Sequence, residues 1–189
     1  LLSALKIAPA LMTGNTLVLK VSEEAPLAVL ELARICSEFL PAGTLNVLSG
    51  TGLECGAPLV EHPDVPKISF TGSTAVGKSI LAAASKRVAA VTLELGGKSA
   101  QIVFPDVDID YTTDGVMTAM RFSRQGQSCT AGSRLFVHES IKDKFLEVLT
   151  AKLKKMRVGD PLAEETDAGT VVNARQYERV STYIQEAIA

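Results

Sequence analysis

The chain has 189 residues, 47% of them apolar and 21% charged, with a formal net charge of −2. That balance suits a globular chain with enough core for one large or two small domains, and it excludes a disordered polyelectrolyte. No stretch is rich in Lys or Arg without interleaved acids, so no nucleic-acid partner is expected. No apolar run reaches the ~18 residues that span a membrane, so none is expected to enter one, and no secretion signal is visible. The three cysteines, Cys36, Cys55 and Cys129, are an odd number, which favours free thiols in a reducing, cytoplasmic setting. Residue 1 is Leu and opens inside an apolar pattern, and residues 177–189 read as a helix with no stop signal. The sequence therefore reads as an internal piece of a longer protein.

Along the chain, strand and helix patterns alternate. Residues 16–21 are short, apolar and β-branched, as in a strand buried on both faces. Ser22 is placed to cap the next helix, with Glu23 and Glu24 in its first turn. Ala28, Leu32, Ile35 and Phe39 recur at helical spacing and predict its buried stripe, with Cys36 in the core. Pro41-Ala42-Gly43 ends it. Residues 45–48 form a second strand, followed by Gly50-Thr51-Gly52 and a short helix to His62 that takes in Cys55. Residues 67–70 form a third strand, and a helix is expected over 74–88. Three strand–helix units in a row predict a parallel sheet with helices on both faces and ligands beyond the carboxyl ends of the strands. Further strands are expected at 91–95, 99–104 and 135–137. Ile109, Thr112, Val116 and Met120 mark one helix, and Ile141, Phe145, Val148 and Lys152 another. Gly96-Gly97 is the best domain border, giving units over 1–95 and 96–189.

The run Gly72-Ser73-Thr74-Ala75-Val76-Gly77-Lys78-Ser79 matches the phosphate-loop pattern of nucleotide hydrolases between a strand and a helix. Such a loop wraps phosphate in backbone N–H groups and uses the Lys as a point charge. It also needs a second strand ending in an acid, and Phe104-Pro105-Asp106 fits poorly. The same residues can instead open a helix whose free N–H groups hold a pyrophosphate, leaving Lys78 and Ser79 as helix surface. Ser73 as a plain helix cap is the third possibility.

Five segments, in order, resemble the aldehyde dehydrogenase family and together cover essentially the whole chain. They are Gly14-Asn15-Thr16 through Lys20 to Glu23 and Pro26; Leu40-Pro41-Ala42-Gly43 with Leu45-Asn46-Val47; Phe70-Thr71-Gly72-Ser73-Thr74 with Gly77; Leu93-Glu94-Leu95-Gly96-Gly97-Lys98; and Gly126-Gln127-Ser128-Cys129 with Ala131-Gly132-Ser133-Arg134. The resemblance implies an α/β fold of aldehyde-dehydrogenase type: a Rossmann-type dinucleotide-binding domain over 1–95, then the first part of an α/β catalytic domain over 96–189. It implies oxidation of a small aldehyde to an acid with NAD, and a homodimer or homotetramer when full length.

On that reading Cys129 is the nucleophile. A thiolate is accessible near neutral pH, and small flanking residues let substrate and backbone N–H groups approach. Glu94, at the end of its strand, is implied as the general base for thioester hydrolysis, which favours the hydrolysing over the acylating members. Lys20 and Glu23 match the family's adenosine-ribose contacts, and a carboxylate there disfavours the 2′-phosphate of NADP. Ser73 is implied at the pyrophosphate, Val76 packs on the cofactor, and Gly50, Gly52 and Gly56 face the adenine. Ser22, Phe70, Thr71, Gly72, Gly77, Leu95 and Gly96 complete the implied cofactor contacts. No metal is implied. Lys98 and Arg134 are read as structural, and Ser128, Thr130, Met117 and Phe122 as candidates to line the aldehyde path. The resemblance places the family's oxyanion Asn just before Leu1 and its Glu on the nicotinamide ribose well beyond Ala189, so neither is assigned in this sequence. A phosphate-loop hydrolase and a catalytically inert remnant are the alternatives.

Overall fold

A computed structural model describes residues 1–189, which form two compact units, Leu1–Leu95 and Gly96–Ala189. Strands and helices alternate in both, and the strand ladders join as three parallel pairs.

The first unit opens with α1 (Leu2–Met12), followed by β1 (Leu17–Lys20), α2 (Leu27–Cys36) and β2 (Leu45–Leu48). A π-type turn (Gly52–Gly56) leads into α3 (Ala57–Glu61), then β3 (Lys67–Thr71), α4 (Thr74–Ser85) and β4 (Ala90–Glu94). β1 pairs in parallel with β2, and β3 with β4, so that Lys20 stands beside Leu48 and Thr71 beside Glu94. Parallel neighbours need a crossover, which α2 and α4 supply. Ile68, Ile80 and Ala84 form the buried centre, with Val60, Val65, Phe70, Val91 and Leu93 packed on it.

Two expectations for this unit fail. Ser22 does not cap α2: its Oγ accepts from the N–H of Glu24 at 3.3 Å and its carbonyl from Ala25, closing a turn, and the helix starts only at Leu27. Pro26 is the reason, because the residue before a proline is pushed out of the helical region. Glu23 and Glu24 thus lie outside the helix. The expected stripe of α2 also points the wrong way. Leu32, Ile35 and Phe39 are exposed, whereas Val29, Leu30, Ala33 and Cys36 turn inward. α2 is apolar around most of its circumference, so its period admits two solutions. α1, with Pro9 inside it, was not anticipated beyond an apolar opening.

α4 ends in a turn that the N–H groups of Val88 and Ala89 close onto the carbonyls of Ser85 and Ala84. Val88 has φ +56, a place usually taken by glycine. Arg87 then donates from Nη2 to the Val60 carbonyl at 2.8 Å and from Nη1 to that of Val65.

The second unit contains β5 (Ser99–Val103), α5 (Ile109–Met120), β6 (Gly132–Val137), α6 (Lys142–Leu153) and α7 (Ala174–Ile188). β5 and β6 pair in parallel, with a register shift between Ser99 and Ala100. Asp108 caps α5 by accepting from the N–H of Tyr111 at 2.8 Å. α5 and α6 pack around Val103, Val116, Leu149 and the fully buried Phe145. Lys152 of α6 ties them together through Asp114 at 2.7 Å and Asp110 at 3.1 Å.

Candidate active site

The end of β1 carries the first group of expected cofactor residues. Lys20 Nζ lies 2.7 Å from Glu23 Oε2, and the lysine side chain is only 17% exposed while the glutamate is half exposed. The turn at Ser22 brings them together: it reverses the chain directly after the strand, so residues three apart face each other. The result is a carboxylate anchored on an ammonium at the carboxyl end of a parallel strand, a place suited to the two hydroxyls of a ribose.

The end of β2 carries the glycines. Gly50 has φ +157, and a Cβ there would lie 2.9 Å from Cys55 Cβ, so no side chain fits. Thr51 opens the following turn by accepting from the N–H of Glu54 at 3.1 Å. At Gly52 and Gly56, by contrast, a Cβ would meet nothing within 4 Å. These two bare backbone positions leave a surface that a flat ring can approach.

The β3–α4 connection has the form of an anion-binding helix start. Phe70 folds its ring over Gly72, where a Cβ would come within 2.4 Å of the ring. The Gly72 N–H donates to the Glu94 carbonyl at 3.0 Å and locks the two strand ends together. Ser73 caps α4 by accepting from the N–H of Val76 at 3.3 Å, and Thr74 and Ala75 present first-turn N–H groups that no helix carbonyl reaches. Val76 is half exposed next to them. Gly77 is buried, and a Cβ on it would stand 2.7 Å from Leu95 Cδ2, so its lack of a side chain is what lets α4 sit against the end of β4. Gly96, at the head of the second unit, has open space where a Cβ would be.

This geometry removes the phosphate-loop alternative. The helix begins at Thr74, the N–H of Gly77 is already bonded to the Ser73 carbonyl at 2.9 Å, and Ser79 Oγ turns back to the Ala75 carbonyl at 3.2 Å. No loop remains to wrap a phosphate, and Lys78 is exposed helix surface.

Glu94 is the last residue of β4. The strand alternates, with Val91 and Leu93 turned inward and Thr92 and Glu94 outward. Lys6 of α1 belongs to the same neighbourhood. Its Nζ donates to Ser69 Oγ at 2.8 Å; partial burial pushes its pKa down, and the negative charge of Glu94 opposes that shift. Sequence reasoning missed Lys6 because it missed α1, and a single Lys in an apolar helix carries no signal of its own.

In the second unit Cys129 is exposed, whereas Cys36 and Cys55 are partly buried. The chain reaches it through a left-handed residue at Arg121, a single tight turn over Phe122–Arg124, and two more left-handed residues at Gln125 and Gly126. Ser128 Oγ lies 3.0 Å from Thr130 Oγ1 and accepts from the N–H of Thr130, so the thiol stands at the apex of a turn flanked by two hydroxyls. Ala131 and Gly132 behind it are buried, and Gln101 donates to the Gly132 carbonyl at 3.2 Å. Arg134 donates to the Lys98 carbonyl at 2.9 Å and stacks over Phe136, and Lys98 donates to the carbonyl of Gly97. Met117 and Phe122 line a cleft of about 380 Å³ with Thr118, Lys155 and Met156, while Ser128 and Thr130 are not among its walls.

Comparison with known proteins identifies the family and the fold. A family model described as the aldehyde dehydrogenase family matches residues 1–189. Betaine aldehyde dehydrogenase 1 of Oryza sativa subsp. japonica is 50% identical over 188 residues, covering 99% of this chain and 37% of the rice protein. The peroxisomal aminoaldehyde dehydrogenase 2 of Pisum sativum is 46% identical with the same coverage. Among solved structures, PnpE in complex with nicotinamide adenine dinucleotide superposes with a TM-score of 0.95 at 44% identity, over 99% of this chain and 38% of that one. Betaine aldehyde dehydrogenase from Staphylococcus aureus in complex with NAD+ gives 0.93 at 38% identity, over 97% and 36%. The chain thus spans well under half the length of these relatives. A whole-length family match and folds this close at such identity leave one assignment: the chain belongs to the aldehyde dehydrogenase family.

Proposed function

We propose that the protein containing this chain oxidises a small aldehyde to the carboxylic acid with NAD, with residues 1–95 as the dinucleotide-binding unit and 96–189 as the start of the catalytic unit. The presentation of Cys129 supports this most directly: it is the exposed thiol, at the apex of a tight turn between two hydroxyls. Bound NAD supplies the acceptor for the hydride that the aldehyde carbon gives up. The residues suited to hold it are Lys20 and Glu23 at a ribose, Gly52 and Gly56 at the adenine, and the start of α4 at Ser73 for the pyrophosphate. Their fit rests on the bare backbone at the two glycines and on the anchored carboxylate. Glu23 also makes NAD the better match than NADP, because its charge opposes a 2′-phosphate.

The Cys129 thiolate attacks the carbonyl carbon and forms a tetrahedral thiohemiacetal. After oxidation Cys129 carries the acyl group as a thioester. Glu94 takes a proton from water, the hydroxide adds to the thioester carbon, and the thiolate leaves with the acid released. Lys6 and Ser69 sit near this carboxylate and bear on its surroundings. The names of the relatives make aldehydes bearing an amino or quaternary ammonium group the first to assay. A reducing compartment suits the three free cysteines, and no helix is long and apolar enough to cross a membrane. A dimer or tetramer of the full-length polypeptide completes the proposal and is checked by light scattering.

NADH absorbance with the full-length protein tests the chemistry. Cys129→Ala should abolish turnover. Glu94→Gln should preserve a first burst of NADH and slow the steady rate by about 10²-fold or more. Steady turnover by Cys129→Ala, or a Glu94→Gln rate equal to wild type, would overturn the assignment of the respective residue.

A further inference from the structure

The loop that presents Cys129 contains three left-handed residues within six positions, Arg121, Gln125 and Gly126, with φ of 59°, 55° and 69°. Two of them carry side chains, and such residues persist only where their surroundings over-determine them. Burial alone does not do so here, since Arg121 and Gln125 are only partly buried and Gln127 and Cys129 are exposed. A directed chain of amide hydrogen bonds completes the restraint. The N–H of Val172, 45 residues further on, donates to Gln127 Oε1 at 3.0 Å. Gln127 Nε2 donates to Gln125 Oε1 at 2.8 Å, and Gln125 Nε2 donates to the Ser123 carbonyl at 3.3 Å. A main-chain N–H can only donate, so the oxygen of Gln127 must face Val172 and its NH₂ must face Gln125. Position 127 therefore needs one acceptor arm and one donor arm. Val172 directly precedes Asn173, which caps α7 by accepting from the N–H of Gln176 at 2.9 Å, so the chain of bonds ends on a fixed point two residues before a helix.

We propose that Gln127 is a positioning residue for Cys129, holding the strained loop so that the thiolate is aimed at the carbonyl carbon. The proposal rests on Cys129 as the nucleophile. Gln127 touches neither thiol nor substrate and acts through the backbone of residues 125–129.

The test is made in the full-length protein. Gln127→Met keeps the volume and removes both arms. Its kcat should fall about tenfold, the scale of two lost neutral hydrogen bonds, with the KM for NAD within about twofold of wild type. Gln127→Glu keeps the acceptor for Val172. It should recover kcat to within about threefold of wild type on the pH plateau, with the acidic limb moved to higher pH because a carboxylate near a thiol disfavours the thiolate. A Gln127→Met kcat equal to wild type, or a Gln127→Glu enzyme as slow as Gln127→Met at every pH, overturns the proposal. If Gln127→Met does not fold, Gln125→Met removes the 2.8 Å arm and the bond to the Ser123 carbonyl, keeps the Val172 bond to Gln127, and must show the same split between kcat and KM. Cys129→Ala runs alongside: activity that survives it removes the nucleophile and this role together, whereas a dead Cys129→Ala beside an unaltered Gln127→Met removes only the positioning role.

Discussion

Replacing Gly50 by Ala separates what the glycines after β2 do for the fold from what they do for a ligand. Gly50 has φ +157, a conformation that costs an L-residue about 1–3 kcal/mol. Its new Cβ would also stand 2.9 Å from Cys55 Cβ, and that atom cannot swing away because it is attached directly to the backbone of the turn Gly52–Gly56. Overpacking of this kind adds about 1–3 kcal/mol. The two causes share one relaxation, so they do not add fully, and a loss of about 2–4 kcal/mol is expected. At about 2–4 °C per kcal/mol for a chain of this size, the melting point should fall by roughly 4–16 °C. Cys55→Gly in the same chain should return part of the loss, the part that is collision and not backbone strain. Gly52→Ala serves as the contrast, since its Cβ meets nothing within 4 Å. It should melt within about 2 °C of wild type and yet weaken NAD binding, measured by calorimetry on the full-length protein, because the added methyl occupies the face offered to the ring. A Gly50→Ala melting point equal to wild type would refute the reasoning about strain. Unchanged NAD affinity in Gly52→Ala would remove the adenine from this surface.

Val88 is left-handed and 90% exposed, so Val88→Gly relieves backbone strain without losing burial; it should stabilise by about 1 kcal/mol, read as a higher urea midpoint. The Asp167 carboxylate accepts from the Arg157 N–H at 2.9 Å, and this bond, with the guanidinium of Arg157, holds its pKa below the usual carboxylate value of 3.8. Its contribution is present above that pH and is lost as pH falls through the depressed value, so protection of the amides around the Val158–Ala168 bridge, measured against their intrinsic exchange rate, should fall in acid in wild type and be lower at neutral pH in Asp167→Asn than in wild type. Lys6 has the opposite charge and the same direction of shift: burial lowers its pKa from 10.5, so the unfolded chain binds the extra proton and stability rises as pH climbs towards 10.5. Lys6→Met should flatten that rise in the urea midpoint, and a slope identical to wild type would show that the ammonium is not held in a partly buried place.

The parts of the fold legible in the sequence were those with one physical solution. β3 and β4 are short, largely apolar runs followed by glycine, and each reading of Ser73 starts a helix close behind it, so the strand–turn–helix unit could be placed to within a residue at its start. The residues proposed for the site were picked out through motifs that resemble the family's, where the proposed chemistry restricts residue type: a carboxylate at a strand end, a thiol between small polar residues, glycines that leave bare backbone. α2 was illegible in orientation because Leu32, Ile35 and Phe39 and the opposite face of Val29, Leu30 and Ala33 are equally apolar, and only tertiary contact chooses between them. Ser22 was misread because a hydroxyl that closes a turn and one that caps a helix have the same local signature; Pro26, four residues on, decides between them.

Lys6 and Gln127 show a deeper limit. The first acts across 63 residues, to Ser69, and the second across 45, to Val172. Lys6 has no periodic or motif-like mark, and its partner is a side chain, Ser69 Oγ, that nothing in the sequence ties to it. Gln127 lies within a motif, but its partner is fixed by where the backbone runs: Val172 contributes only its N–H, and any residue but proline would serve. A supporting side chain that bonds to main chain leaves no trace at the partner's position in the sequence. The residues proposed to do chemistry here could therefore be named from one sequence, while the contacts of Lys6 and Gln127 become visible only once the chain is folded.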